Sequence, residues 1–595
     1  MKTKLLIGLM MLWGMVCGGQ DWVRELDVAV YGYYKENGIR PLGGITEEQY
    51  VRRAYLQIAG RVPTLAEVVE YQKDRRGGKR ALLVDKLVGG NDYVSHWYNF
   101  WAEQLRLRDR INEINYMKGD VYGQWVEQSI RKNKRYDRFV WELLTAEGKY
   151  IENGAVGYFY RDFGMPLDNL IGTVKIFAGT DISCAQCHDD PFHEWTQYQF
   201  YESAAYFVQI EMSKRDSAIQ EYINKIKKEI YDAAEDPNNP SISEEVKKKS
   251  RGLSGQIQQF LNASQMAVKI KSDNKLKLPS TYKYEDAKPN DVVGARVLVG
   301  KWENANKSNL RLDFADWFLN KEFFAQNFVN RAWGYTFGAP LISPVENFTV
   351  KKDQPEYKVL VTLGKIFERM NYDVNLLMSS LYKTQMFQRQ AWTGKDLSLY
   401  RFEGPVYRRL RAEQLWDSIL VLVLDDVNYF DLSYYVEAYK KLMTIDFEKL
   451  TKDQAIELRE SYQKLGGQKY REAKKYKQYN LVRAACVGEV GGATADLLKM
   501  FGRSDRELIG SSNVEGSVTQ VISFVNGPFS AIVTNKESRM MRELARIENK
   551  NERTDYVFRS ILQRLPTVVE RSLFEKYDTE ILIWALLNSQ EFKFN

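Results

Sequence analysis

Two thiols and one imidazole stand together in the short segment Cys184-Ala185-Gln186-Cys187-His188. This C-x-x-C-H spacing is typical of a c-type haem attachment site. Cys184 and Cys187 would add to the two vinyl groups of the porphyrin, and the two intervening residues set their reach. His188 would then present its imidazole to the iron as the proximal ligand. Because the chain has only three His and four Cys, the motif predicts one defined site for haem c.

Two other kinds of site fit the same residues. A zinc ion could bind the thiols and one or two imidazoles, and the neighbouring residues able to contribute ligands are His193, Asp189, Asp190 and Glu194. Adjacent Cys187 and His188 would strain a tetrahedral zinc site. A Cys184–Cys187 disulfide with no cofactor is the third interpretation. His193-Glu194 begins like a zinc-protease helix, but Gln197 stands where the second His is required.

A haem iron held by His188 has a sixth position, and four residues are candidates for it: His96, His193, Met165 and Met212. His193 is close in sequence and needs a sharp turn, which Pro191 favours. His96 stands among aromatic residues, where a buried core histidine is the favoured interpretation. An open sixth position favours small-molecule or peroxide chemistry, whereas a filled one favours electron transfer.

Residues 1–19 have the pattern of a secretory signal peptide. Lys2 and Lys4 precede an apolar run from Leu5 to Val16, and small residues follow it. The run is too short to span a membrane, and no later segment predicts a span. Cys17 allows lipid attachment as an alternative, although Val16 rather than a small residue precedes it. We therefore expect an exported protein, periplasmic or extracellular, in the compartment where c-type haem is attached.

The composition is that of a large globular protein. Of 595 residues, 27% are charged and 44% are hydrophobic, which excludes disorder over most of the chain. The net charge of +7 is not concentrated in one segment, so nucleic acid is not the expected partner. Anionic polysaccharide or an envelope protein is the expected partner. A Walker-type phosphate loop, a dinucleotide fingerprint and a G-x-S-x-G elbow are absent from the sequence.

Helical periodicity and capping patterns predict a mainly α fold with two helical domains, at residues 20–210 and 300–595. Residues 211–299 between them predict a charged helical hairpin insertion and a small β element. The hairpin prediction rests on one helical stripe among Lys and Glu, made of Ile219, Ile223, Ile226 and Ile230. The β element is predicted from short strand-like runs between Leu276 and Leu298.

The two ends of the chain share a pattern. Residues 50–57 parallel residues 556–563, and Pro63-Thr64-Leu65-Ala66-Glu67 parallels Pro566-Thr567-Val568-Val569-Glu570. Both copies contain the Thr-x-x-Glu capping box, in which two side chains satisfy two unpaired backbone N–H groups. We expect one helix–turn–helix unit at each end, with the two units packed together. A common hairpin pattern that arose twice is the alternative.

Several motifs together resemble a known family. In the N-terminal half they are Tyr55-Leu56-Gln57, Gly60-Arg61-Val62-Pro63-Thr64 and the C-x-x-C-H segment continued by Asp189-Asp190-Pro191-Phe192. In the C-terminal half they are Asn330-Arg331-Ala332-Trp333, Arg409-Leu410-Arg411-Ala412-Glu413-Gln414-Leu415 and Asn526-Gly527-Pro528. They resemble planctomycete-type secreted cytochrome-like proteins with two domains of unknown function, numbered 1549 and 1553. The resemblance implies a 1549-type domain in residues 20–210 and a 1553-type domain in residues 300–595.

The resemblance brings no known reaction. The usual continuation C-H-x-H-P-F is altered here, because Asp190 replaces the second His and a His appears at position 193. Many relatives have two cysteines after the segment matching Phe501-Gly502-Arg503, and this chain has none there, which argues against a second metal or redox site. The family is abundant in bacteria rich in secreted sulfatases and polysaccharide-degrading enzymes. A role linked to polysaccharide processing is therefore what the resemblance implies.

Three classes of function remain as hypotheses. The leading one is an exported c-type haem protein with an electron-transfer or oxidative role. The second is a non-catalytic envelope scaffold or a glycan-binding or partner-binding protein, in which the motif is structural. The third is a metal-dependent hydrolase, which requires the carboxylates and imidazole of Asp189, Asp190, His193 and Glu194 to converge on one ion. The sequence leaves open whether the protein is an enzyme.

Overall fold

The computed structural model describes residues 22–108, 110–112, 117–118, 120–212, 266–306, 308–430, 473–488 and 492–595, and scattered residues within 221–252 and 451–460. The predicted signal peptide, Cys17 and the isoleucine stripe of the predicted hairpin lie outside the described residues. Among the described residues, no helix is long and apolar enough to cross a membrane. The predicted domain boundaries at residues 210 and 300 stay predictions.

Helices form most of the described chain, as the periodicity predicts. In the N-terminal half they are α1 (22–36), α2 (Glu47–Ala54), α3 (Leu65–Lys73), α4 (Lys79–Leu87), α5 (Asn91–Gln104), α6 (Asp120–Arg131), α7 (Tyr136–Leu144), α8 (Gly157–Tyr160), α9 (Pro166–Phe177) and α10 (Gln197–Ala204). A π-helical turn, Tyr55–Ala59, extends α2.

The remaining helices follow residue 309. They are α11 (Leu310–Leu319), α12 (Glu322–Phe337), α13 (Pro355–Arg369), α14 (Val374–Lys383), α15 (Ala412–Val423), α16 (Ala493–Met500), α17 (Val518–Asn526), α18 (Pro528–Val533), α19 (Arg539–Leu544), α20 (Lys550–Ile561), α21 (Val568–Phe574), α22 (Thr579–Asn588) and α23 (Gln590–Lys593). Short 3-10 turns occur at Gly154–Val156, Ser183–Gln186, Val345–Val350, Met386–Gln388, Leu397–Leu399 and Ala484–Cys486.

The strands are short and antiparallel. They are β1 (Arg110–Asn112), β2 (Met117–Lys118), β3 (Gly148–Lys149), β4 (Ile210–Met212), β5 (Ala267–Ile270), β6 (Leu276–Lys277), β7 (Val292–Val293), β8 (Lys475–Tyr476) and β9 (Tyr479–Asn480). β5 lies between β3 and β4, and the other strands form the pairs β1–β2, β6–β7 and β8–β9. The predicted fold class, mainly α with a small β element, is confirmed.

The buried side chains form two hydrophobic cores. One contains residues from Leu26 to Phe402, so α11 to α14 pack with the N-terminal helices rather than with the C-terminal ones. The other contains residues from Leu410 to Phe592, together with Leu56 and Val62 from the N-terminal segment. The packing therefore joins both halves of the chain at α2 and the turn that follows it.

The two ends of the chain form equivalent units that pack together, as predicted. Each has its capping box, Thr64 with Glu67 and Thr567 with Glu570. In each unit one arginine bridges the capping-box Glu and a second acid, and the matching trios are Arg61, Glu67 and Asp92, and Arg564, Glu570 and Glu591. Arg52 donates to the backbone carbonyls of residues 561, 591 and 592, which joins the first unit to the second.

Candidate functional site

The C-x-x-C-H motif follows the C-terminal end of α9 on the 3-10 turn Ser183–Gln186. Gly179 makes the exit from α9 possible, since its φ is +60° and an added Cβ would lie 2.5 Å from the Phe348 ring. Asp181 then fixes the turn: it accepts from the backbone N–H of Ser183 at 3.0 Å and contacts Lys175 Nζ at 3.1 Å. The motif thus begins a few residues after the end of a helix that packs in the core.

Both cysteines of the motif are free thiols in this structure. Cys184 is half-buried and Cys187 is exposed. The backbones of the two cysteines are close together in the turn, because Cys187 N–H donates to the carbonyl of Cys184 at 3.2 Å. Tyr201 of α10 lies near Cys187, and burial first and the neighbouring thiol second raise the pKa of this tyrosine. The thiols are therefore accessible to a reaction partner.

His188 is exposed, and one of its ring nitrogens is already engaged. Nδ1 lies 2.7 Å from the carbonyl oxygen of Asp189, so Nδ1 carries the proton and donates it to that carbonyl. Among the described residues, Nε2 has no hydrogen-bond partner. A histidine that binds a metal through one nitrogen typically donates the other N–H in this way, which fixes the tautomer.

The loop after the motif is held at both ends. Asp189 N–H donates to the Tyr284 hydroxyl at 2.7 Å, and Asp189 Oδ1 accepts from the backbone N–H of Gln197, the first residue of α10, at 2.8 Å. The Gln197 side chain donates to the carbonyl of Gln186 at 3.0 Å. These contacts tie the segment that contains His188 to the 3-10 turn and to the start of α10.

His193 lies in the same loop with a different environment. Its Nδ1 is 3.0 Å from Asp190 Oδ2, and its Nε2 accepts from Asn347 Nδ2 at 2.8 Å. The side chain is only 9% exposed. Nε2 therefore has a hydrogen-bond partner, whereas Nδ1 lies close to a carboxylate oxygen without a hydrogen bond to it. Across the described ranges, no group of three or more His, Cys, Asp or Glu side chains is arranged to hold a metal ion.

The other candidates for the sixth iron position lie elsewhere. His96 is buried, its ring 4.9 Å from that of Tyr335, and burial first and nearby arginines second lower its pKa to about 3. It is a neutral core histidine, as the aromatic context predicts. Met165 precedes α9, and Met212 contacts Gly164 at the same end of that helix. Since α9 has 12 residues and a rise of about 1.5 Å per residue, its length separates both sulfurs from its motif-bearing end.

A cavity of about 860 Å³ opens beside the loop of residues 192–195. Its wall includes three cationic and five aromatic side chains, which are Arg296, Lys321, Lys352, Phe192, Trp195, Phe318, Phe323 and Tyr357. Phe192 is 81% exposed. The cavity is thus bordered by the loop that follows the motif, although no residue of the motif itself lines it, and it is large enough for a sizeable ligand.

Sequence reasoning missed the residues that support the motif from a distance. Tyr284 stands 95 positions from Asp189 and Asn347 stands 154 positions from His193. No local pattern marks either residue. The sequence predicts a short strand at Tyr282-Lys283-Tyr284, and this prediction is wrong, because β6 ends at Lys277, β7 begins at Val292 and the residues between them form turns and irregular chain.

Two family comparisons cover most of the chain. PSCyt2, a protein of unknown function (DUF1549), matches residues 25–212, and PSD1, a protein of unknown function (DUF1553), matches residues 310–577. No curated protein and no solved structure matches the chain. The two matches agree with the motifs read from the sequence, in the same order along the chain. The chain therefore belongs to the two-domain family that combines PSCyt2 (DUF1549) with PSD1 (DUF1553).

Proposed function

We propose that this chain is an exported c-type haem protein with an electron-transfer or oxidative role linked to polysaccharide processing. The observation that carries the proposal is the tautomer of His188. Its Nδ1–H donates to the Asp189 carbonyl, which leaves the Nε2 lone pair available on an exposed side chain, in a motif whose two cysteines are free thiols. The residues present therefore fit the group that the C-x-x-C-H spacing implies.

Each residue of the motif has a separate task in this proposal. The Cys184 and Cys187 thiols would form the two thioether bonds, and His188 would ligate the iron through Nε2. The Asp189 carbonyl keeps the His188 ring in the required tautomer and orientation. When bound, haem supplies one-electron redox chemistry at its iron. Phe192, four residues after His188, is exposed and would be available for an apolar contact with a bound haem.

Of the four candidates for a second iron ligand, the two histidines are in contact with other groups and the two methionines lie at the far end of α9. His193 has both ring nitrogens close to polar groups, and His96 is buried against Tyr335. Met165 and Met212 lie at the opposite end of α9. An open position favours reaction with a small molecule or a peroxide over simple electron transfer.

The zinc hypothesis receives less support from the same contacts. A zinc site needs three or four converging ligands, and His193 could join only by giving up Asn347 or Asp190. The carboxylates of Asp189 and Asp190 are also engaged, since they accept from the backbone N–H groups of Gln197 and Phe192.

The test is to express the full chain together with a c-type haem maturation system. We expect a Soret band and haem that stays with the polypeptide on a denaturing gel, both lost when Cys184 and Cys187 are replaced together by Ala. Cys486→Ala is the matched control, because the Cys486 thiol lies outside the motif, and it should leave haem attachment unchanged. Wild-type protein that emerges from this system with no covalent haem would contradict the proposal.

A further inference from the structure

A second cavity, of about 960 Å³, lies between the two equivalent end units. Its wall combines arginines with polar amides: Arg52, Arg53, Arg559, Arg564, Gln49, Gln72 and Gln390 line it, together with Glu48 and Glu591. Tyr407 and Phe594 add a stacked aromatic pair with ring centroids 5.2 Å apart. This cavity is separate from the C-x-x-C-H motif and contains none of its residues.

Arg53 is the unusual residue on this wall. It is 6% exposed, and its guanidinium donates to two backbone carbonyls, those of Phe387 at 2.9 Å and of Arg389. Among the described residues, no carboxylate pairs with it. Burial lowers the pKa of Arg53 to about 10, so the side chain is still cationic at neutral pH.

Its neighbours do not supply the missing anion. Arg52 also forms no ion pair in the described part of the chain, and it donates to carbonyls and to Gln563. Arg559 donates to the Gln72 amide at 3.0 Å. Glu591 forms an ion pair with Arg564, which also forms one with Glu570. Glu48 is the one acidic side chain of the wall that forms no ion pair with a described residue.

A buried cation without a paired anion is costly, and proteins normally supply one. Backbone carbonyls offset part of the charge of Arg52 and of Arg53. Arg53 and Arg559 both line the cavity, and neither forms an ion pair with a described residue. We infer that this cavity binds an oxyanion, a carboxylate or a sulfate, carried by a hydroxylated molecule. The guanidinium groups match the two oxygens of such an anion, and the three glutamine amides can pair with hydroxyl groups.

The inference is tested by calorimetric titration of the full chain at constant ionic strength, with sodium chloride as the balancing salt. The probes are sulfate, acetate, glucuronate and glucose. We expect saturable binding of glucuronate that is tighter than that of acetate, and none of glucose. Sulfate binding more tightly than acetate would assign the natural anion as a sulfate, and the reverse order as a carboxylate.

Two pocket variants and one control complete the test. Arg559→Gln and Arg53→Gln should each weaken binding about tenfold or more, the loss expected for a hydrogen bond to a charged group. Arg559 is half-buried, so its variant keeps the test valid if Arg53→Gln fails to fold. Arg546→Gln, whose arginine pairs with Glu543 at the surface, should bind as wild type does. The inference is overturned if none of the anions binds saturably above the chloride background, or if both pocket variants bind glucuronate as tightly as wild type does. If glucuronate binds no tighter than acetate, the cavity does not recognise the hydroxyl groups.

Discussion

At the scale of single residues, two histidines of one loop have opposite environments. His188 is exposed and donates through Nδ1 to a backbone carbonyl, whereas His193 is enclosed between Asp190 and Asn347. The C-x-x-C-H spacing singles out His188 from the sequence because the pattern is local. The environment of His193 could not be predicted, since Asn347 comes from a distant 3-10 turn. The role of His193 as a ligand stays a prediction, and its contacts favour a bracing role.

The bracing role gives a prediction for His193→Ala. The change leaves Asp190 and Asn347 without their shared partner, so we expect a loss of about 1–3 kcal/mol in the free energy of unfolding. Covalent haem per chain should be unchanged, because neither thiol of the motif nor the His188 imidazole is altered. The measurements are denaturant unfolding and haem staining, with His188→Ala as the comparison that removes the proposed iron ligand. Loss of metal or haem in His193→Ala would instead assign His193 as a ligand.

At the scale of elements, capping patterns were predictable and supporting contacts were not. Thr64-x-x-Glu67 and Thr567-x-x-Glu570 predict helix starts that the structure confirms, because the capping box is a local interaction. The sheet that joins β3 to β5 was not predicted, since two-residue strands have no periodicity to read. The small β element was predicted as strands alone, yet it supplies the hydroxyl of Tyr284 to the motif.

This contact predicts a specific effect of Tyr284→Phe. The change removes the acceptor for Asp189 N–H, and one hydrogen bond contributes about 0.5–1.5 kcal/mol. Because a loss of this size makes local opening of the loop up to about tenfold more frequent, we expect amide hydrogen exchange in residues 184–197 to become faster by up to that factor. Tyr282→Phe is the matched control, because the Tyr282 hydroxyl bonds Asp286 rather than the motif. Equal exchange in both variants would show that Tyr284 does not position the loop.

At the scale of the whole molecule, a chain of buried charges connects the two cores. Asp92 of α5 lies between Arg61, at 2.7 Å, and Arg483, and Arg483 also holds Asp417 of α15 at 2.8 Å. Arg483 and Asp417 are each 2% exposed. Asp92 and the two arginines are far apart in sequence, so only the fold shows that the Asp92 carboxylate pairs with one arginine from each half of the chain. Breaking this connection should affect the molecule as a unit.

The last prediction concerns Asp92→Asn, which removes that shared charge. Burial would raise the pKa of Asp92, but Arg483 and Arg61 outweigh it and hold the pKa below its usual value. A carboxylate with a lowered pKa stabilises the folded state above its unfolded pKa, and this stability is lost as pH falls through the folded value. At neutral pH we therefore expect Asp92→Asn to reduce the free energy of unfolding by about 1.5–3 kcal/mol, the range for hydrogen bonds to a charged group. The change removes the carboxylate that two buried arginines share and leaves Arg61 with Glu67 and Arg483 with Asp417.

The difference between wild type and Asp92→Asn should shrink as the pH is lowered below about 4, where the unfolded carboxyl also binds its proton. Burial raises the pKa of Asp417, so the titration of that group affects stability in the opposite direction. The Asp92 carboxylate also contributes to the raised pKa of Asp417, so Asp92→Asn should bring that pKa closer to its usual value. Glu152→Gln is the control, because Glu152 and Lys149 form an exposed pair and such pairs contribute little. Denaturant titrations at a series of pH values test the prediction. A difference that stays constant with pH would mean that Asp92 contributes through packing, and that its charge does not join the two cores.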